Sequence, residues 1–389
     1  MRFRFTVIAG LLALIVLLLG RQFLDRFRAP KGLAERPVTQ QVDPAAAAIP
    51  SAVQSGGIPS LLAPAWVARN KSGIVALEKG DFKAAAEHFA ACLAERPDEV
   101  IFAHNLAETY ARWATSIHTG DLFDRKRSIE LLEEALQLHP ERLELADLLA
   151  RYERSEEAED GFYNRETLHF QLAFDLTREE LQADVETMVE VLENAYQEYG
   201  EWFVTRPADH SQPIRVVIYT QEGFSQVTRV GAWAGGIYDG TIRVPVTDLS
   251  RELPRVLGVL RHELLHAFVH VAGGASVPGW LNEGLAQWLE NGRAGPDALG
   301  LERARKSMGG AQPFPLERLN GSLASWTDPK EVERAYAQSL LFVAYLEENF
   351  GADLLHEMIQ SCAQGKTPHA TFKSRVALDL DSILPDVFQ

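Results

Sequence analysis

The run Arg261-His262-Glu263-Leu264-Leu265-His266 constrains this chain more than any other stretch. Two histidines four apart on a helix share one side, with Cβ atoms about 6 Å apart, so both imidazoles can grip one metal ion. Glu263 sits about 100° round the helix from His262, placed to reach a water at the metal rather than the metal itself. Pro254 suits a first turn and Gly273 a stop, which predicts a helix from about Leu253 to Gly273. On it Leu257, Leu260, Leu264, Phe268 and Val271 fall on one side and the two histidines on the other. Val256, Val259, Leu265 and Val269 fill much of the remainder, and a helix apolar nearly all round is a buried one.

A second, shorter helix is expected from Trp280 to Glu290, ended by Gly292. Leu281, Leu285 and Trp288 make its core face, while Glu283, Gln287 and Glu290 line the opposite one. A carboxylate at Glu283 completes a candidate ligand set of His262, His266 and Glu283. Three protein ligands and one open position are the composition of a catalytic zinc site. Two rivals stand beside it. His270 continues the four-residue series but lies about 12 Å along the axis from His262, and Glu290 shares the face of Glu283 two turns further on. The same residues also admit a plainer reading, a buried histidine pair bonded to backbone carbonyls, but that leaves the acid on the second helix without a reason.

With 389 residues there is room for two domains and tails. A net charge of −16 argues against nucleic acid, and against an anionic lipid surface as main partner of the folded part. Cys92 and Cys362 fall in different expected domains, so no disulfide framework is expected. Arg2 and Arg4 precede an apolar run, Phe5 to Gly20, that is followed by arginines and by no small-residue cleavage site. Residues 1–28 therefore read as an uncleaved signal anchor, a single pass through a bacterial inner membrane with the bulk of the chain on the periplasmic side. Residues 29–64 hold six prolines and the tetrad Ala45 to Ala48, the composition of a disordered tether.

The expected fold class is α+β in two parts. Residues 65–157 read as all-α hairpins. Gly80-Asp81-Phe82, Ala85, Phe89, Cys92 and Pro97 have the spacing of the second helix of a tetratricopeptide repeat, and Ser128, Leu132, Ala135 and Pro140 echo it. The wider interval in the second unit predicts an insertion around Thr119 to Arg127, and Arg142 to Arg154 reads as a closing helix. So few repeats rarely stand alone, so they are expected to lean on the second part, with a protein partner in their groove as a further option. After an acidic stretch, Glu156 to Asp160, residues 160–389 change pattern. Leu168 to Phe174 alternates like a half-buried strand, Arg178 to Tyr199 is an amphipathic helix, and Ile214 to Tyr219 is a strand parallel to the first. A helix over Glu222 to Val227 follows. Gly235 to Tyr238 and Thr241 to Val246, joined by Asp239-Gly240, form a hairpin, with Pro245 marking the second arm as an edge strand. Behind the motif helices, Glu331 to Phe350 is a long helix bearing Tyr336, and Leu354 to Gln360 and Ser382 to Phe388 are shorter ones.

Residues 160–389 resemble a gluzincin metallopeptidase of the peptidase MA type in a compact, thermolysin-like form. The matching residues are His262-Glu263-Leu264-Leu265-His266 and Pro278-Gly279-Trp280-Leu281-Asn282-Glu283-Gly284-Leu285-Ala286. Trp233 to Gly240 and Ala335-Tyr336-Ala337-Gln338-Ser339 support them. The whole chain resembles bacterial proteins that join repeats to such a peptidase. The resemblance implies Zn2+ on His262, His266 and Glu283, Glu263 as general base, and Tyr336 as hydrogen-bond donor to the oxyanion, with a peptide or protein as substrate. In that family an aspartate four residues beyond the ligand glutamate often steadies a ligand histidine. Gln287 holds that place here, which implies a less basic partner for the imidazole. The edge strand is expected to pair with an extended substrate. Two other functions fit the same residues: a non-catalytic envelope scaffold whose repeats bind a partner and whose zinc is a support, and a hydrolase of another amide, such as a cell-wall peptide. Glu263 weighs against the scaffold, since a structural zinc site has no use for an acid directed at water.

Overall fold

The computed structural model describes residues 64–388 apart from 119–121, 176, 178, 208–212, 231–233 and 291–297. The expected anchor and all but the last residue of the expected tether lie outside the described residues. Among the described residues no helix is long and apolar enough to cross a membrane.

Five helices open the described chain: α1 (Ala65–Glu78), α2 (Phe82–Glu95), α3 (Val100–Ile117), α4 (Leu122–Leu138) and α5 (Leu143–Ala158). Gly80 turns the chain between the first two at φ 73°, and the Asp81 carboxylate caps α2 by accepting from the Ala84 N–H. Small residues on α3, Ala107, Ala111 and Ala114, let it close on Leu131, Leu132 and Ala135 of α4, and Tyr152 of α5 completes that core. Consecutive helices pack on one another as antiparallel neighbours with short connections do. The expected insertion at 119–127 becomes helix from Leu122 onward, so most of its length is taken up by the first turns of α4.

The sheet has five strands in the order β1-β2-β3-β5-β4. These are β1 (Tyr163–Glu166), β2 (Phe170–Phe174), β3 (Ile214–Tyr219), β4 (Ile237–Tyr238) and β5 (Ile242–Pro245), with α6 (Glu179–Trp202) after β2 and α7 (Gln221–Thr228) after β3. β2, β3 and β5 run parallel, with Phe170 opposite Ile214 and Val216 opposite Ile242, while β1 and β4 are antiparallel edges. Two expectations change. β2 is buried on both faces rather than one, because helices cover each side of the sheet. β5 is an inner strand, not an edge. The Val246 N–H donates to Tyr219 of β3, so the nitrogen of Pro245 faces the other way, past the end of two-residue β4, where no bond is forfeited.

One face of the sheet carries Phe170, Leu172, Val216, Ile218, Ile242 and Val244 against α6 and α8 (Leu249–Gly273). Helix α8 starts earlier than expected, after Asp248, so Pro254 lies inside it and forfeits one bond near the helix start. Beyond α8 lie α9 (Gly279–Leu289), α10 (Ala298–Met308), α11 (Pro329–Phe350), α12 (Ala352–Ala363), α13 (Pro368–Val376) and α14 (Leu384–Val387). At Gly284, α9 rests on the backbone of α11. A Cβ there would stand 2.5 Å from the Ser339 carbonyl oxygen, so only glycine permits the approach.

The opposite face of the sheet is part polar. Ala173, Val217, Tyr219 and Ile237 meet Phe224 and Val227 of α7 and Ala158 at the end of α5. Beside them Arg215 and Arg243 are buried, and their charge is met by Glu159, the residue after α5. Arg215 Nη2 donates to Glu159 Oε2 at 2.5 Å, Arg243 Nη1 to Oε1 at 3.3 Å, and the Tyr219 hydroxyl donates to Oε1 as well. Burial alone would raise the Glu159 carboxyl, but the two guanidinium groups hold it below its ordinary value. The acidic stretch Glu156 to Asp160 thus supplies one buried partner, Glu159, and one half-buried, Glu156, which accepts from Arg125 at 2.5 Å.

Candidate metal centre

Helix α8 presents His262 and His266 on one side, and the first half of α9 brings Glu283 between them. Glu283 Oε2 lies 3.6 Å from His262 Nε2 and 3.5 Å from His266 Nε2. Two ligands of one tetrahedral zinc, each bonded at about 2.0 to 2.1 Å, stand about 3.3 Å apart, so the observed separations miss that figure by a few tenths. All three ligand groups offer atoms within 4.8 Å of one another. Glu283 Oε2 is buried and accepts no hydrogen bond, an orphaned acceptor of the kind a cation would satisfy. Burial would raise the Glu283 carboxyl, but His266 and His262 facing it hold it below its ordinary value.

Each histidine is held by its other nitrogen. His262 Nδ1 lies 3.0 Å from Glu290 Oε2, and His266 Nδ1 lies 3.0 Å from Asn282 Oδ1. Both acceptors require a proton on Nδ1, which leaves each Nε2 lone pair to face Glu283. Glu290 therefore stands as an orienting partner of His262 rather than as a rival ligand. Gln287 does not touch an imidazole. Its amide donates to the carbonyls of Glu283 at 3.1 Å and Tyr336 at 3.0 Å, bracing α9 against α11. The weak-partner expectation at Gln287 is replaced by a full carboxylate at Glu290. His270 is exposed, its ring turned to Tyr238, and lies outside the cluster.

Arg261 places Glu290. Its Nε donates to the Glu290 carbonyl at 2.6 Å and its Nη2 to Glu198 of α6 at 2.8 Å, so the end of α9 is tied to the residue beside His262. Glu263 is buried, and burial raises its carboxyl above the ordinary value, the direction a general base needs. Its wall is the backbone of Gly236. A Cβ there would stand 3.0 Å from Glu263 Oε1 and 2.6 Å from Val259. Tyr336, on α11, directs its hydroxyl to the Glu283 carboxylate, and burial with the carboxylates of Glu283 and Glu263 holds the phenol proton well above its ordinary range. Tyr336, Gln287 and Glu290 also line a cavity of about 330 Å³ that runs between α10 and α11.

All five candidate residues, His262, Glu263, His266, Glu283 and Tyr336, thus sit in one place. The roles of Asn282, Gly236 and Glu290 were not read from the sequence. Asn282 adjoins Glu283, and Glu290 follows it by two turns on the same face, so helical geometry alone put both within reach of an imidazole.

Residues 204–387 match the Peptidase MA superfamily model, which gives that span a peptidase MA-type fold. The span takes in α8, α9 and α11, and with them every residue of the centre. β1, β2 and α6 precede it, although β2 and α6 pack into the same core. No curated protein matches the chain.

Proposed function

We propose that this protein is a membrane-anchored zinc metallopeptidase, and that its bulk works on the periplasmic side. The observation that carries the reading is the convergence of His262, His266 and the unpaired Oε2 of Glu283, with both Nδ1 atoms already held. These residues would hold the zinc ion. When bound, it supplies Lewis acidity, polarising the scissile carbonyl and acidifying a water beside it.

The chain's own residues supply the rest. Glu263 takes the proton from the attacking water and passes it to the leaving amine, and its burial next to Gly236 keeps it aimed and basic. Tyr336 gives a hydrogen bond to the developing oxyanion, a donor role that suits a phenol held firmly protonated. An extended peptide would add to the free edge at β4 by main-chain hydrogen bonds, since β5 is covered. The scaffold alternative gives the buried acid Glu263, beside the histidine pair, no task.

The deciding experiment measures zinc content and cleavage of casein and of a peptide library by the purified chain, beside Glu263→Gln. Glu263→Gln should keep zinc and lose turnover on the order of 10²- to 10⁴-fold. Zinc bound with no cleavage by the native chain would favour the scaffold, and turnover indifferent to Glu263→Gln would sink the mechanism.

A further inference from the structure

We infer that Arg151, supplied by the helical part of the chain, is a positioning residue for Glu263. The inference rests on the peptidase reading for its functional meaning, while its geometry stands independently.

Arg151 lies on α5, and its Nη1 is 3.3 Å from Asp239 Oδ2. Asp239 closes the turn between β4 and β5. Its Oδ1 accepts from the Thr241 N–H at 3.3 Å, and Arg243 Nε of β5 approaches the carboxylate at 3.2 and 3.3 Å. The thread from this turn to the centre is short. The arm leading into β4 carries Gly236, whose backbone is the wall against Glu263 and Val259. β4 has only two residues in the ladder, so the arm that carries Gly236 is lightly held by strand pairing, whereas β5 is paired to β3 over four residues. From the helical part the turn is held by the pair Arg151 and Asp239, with the Asp239 side chain only 10% exposed, while on the other side Tyr238 meets the ring of His270 and Arg255 donates to the Pro245 carbonyl. One turn along the same helix, Arg154 Nη2 donates to the Val227 carbonyl of α7 at 3.4 Å, so α5 holds α7 and the hairpin by separate contacts.

The reach of Arg151 to the hairpin carries a cost. Arg151 Nε is buried and has no acceptor, so the guanidinium gives up part of its hydration where it reaches the acid on the hairpin. A general base held a fraction of an ångström off its line loses rate without losing substrate, because proton transfer depends on alignment more than binding does. The helical part would then belong to the working site through Arg151.

The test uses the purified full chain, Arg151→Met, Arg151→Lys and Arg154→Met. Zinc content, kcat and KM on a cleaved peptide are measured together with hydrogen exchange of residues 234–243. Arg151→Met should lower kcat by about tenfold with KM and zinc content unchanged, and should speed exchange in the hairpin. Arg151→Lys should recover part of the rate, and Arg154→Met should leave kcat per zinc unaltered. A kcat for Arg151→Met equal to that of the native chain, or an equal loss in Arg154→Met, would overturn the inference. If the native chain cleaves nothing, the peptidase reading fails, and unchanged hairpin exchange in Arg151→Met would overturn the positioning claim separately.

Discussion

Glu159→Gln should cost this protein a large share of its stability, because the acid answers two buried cations. Its side chain is 3% exposed, as is that of Arg215, and that of Arg243 is 2% exposed. After the substitution Arg243 keeps Asp239, but Arg215 keeps only neutral oxygens, those of Gln171, Asn164 and the new amide. Removing one member of a buried pair costs about 3 to 5 kcal/mol, because the survivor stays desolvated and unpaid by charge. For a body of this size that is a fall in Tm on the order of 10 °C. The pH dependence follows the depressed carboxyl of Glu159. A carboxyl lowered in the folded state contributes stability that is fully present above the ordinary glutamate value of 4.5 and is lost as pH falls through the folded value. The gap between native chain and variant should therefore be widest near neutrality and shrink below about pH 4.5. The assay is urea unfolding by circular dichroism at pH 7 and at pH 4, with Glu159→Gln/Arg215→Met as the companion. Removing the stranded cation should make the double variant more stable than the single one. A single variant within about 1 kcal/mol of the native chain at pH 7, or a double variant weaker still, would refute the reasoning.

Two further substitutions test the centre. Glu290→Gln should retain zinc but bind it about 10- to 100-fold more weakly, read by competition with a chelator, since the imidazole of His262 loses its carboxylate partner; unchanged affinity would mean that Glu290 does not orient the ring. Gly284→Ala forces a methyl against the Ser339 carbonyl and Val343, which should cost about 1 to 3 kcal/mol in denaturation and, by shifting neighbouring Glu283, weaken zinc binding as well; an unaffected chain would show that α9 and α11 can separate freely.

Much of this site could be read from residue spacing, and the reasons for the failures are physical. The helix of His262 and His266 carried a period and an apolar surface that only burial explains, and Asp239-Gly240 announced the hairpin through a glycine that does sit at φ 95°. Pro245 misled because a proline is costly only where its nitrogen faces a neighbour, and here the neighbour ends first. β1 left no signal, since Tyr163 to Glu166 is a mostly exposed edge with no apolar alternation. Helices α10 and α13 are short and charged, and are held by packing rather than by pattern. Glu290 was seen on the correct face of α9 but weighed only as a ligand, whereas its distance from Glu283 suits the far nitrogen of His262. The acidic run before the sheet marks only a change of pattern in the sequence. Its partners, Arg215 and Arg243, stand alone at alternate positions in otherwise apolar strands, and that mismatch was the clue to a second, polar core.

That polar core also sets a timetable for the newborn chain. Glu159 is made 56 residues before Arg215 and 84 before Arg243. At roughly 5 to 20 residues per second, the ribosome takes roughly 4 to 17 s to deliver the last of these partners. Until Arg215 emerges the helical part can fold but keeps its end open to water, because closing it would entomb an acid with nothing to answer it. The sheet, arriving second, finds a waiting docking face, and its assembly waits first on an arginine in β3 and then on one in β5.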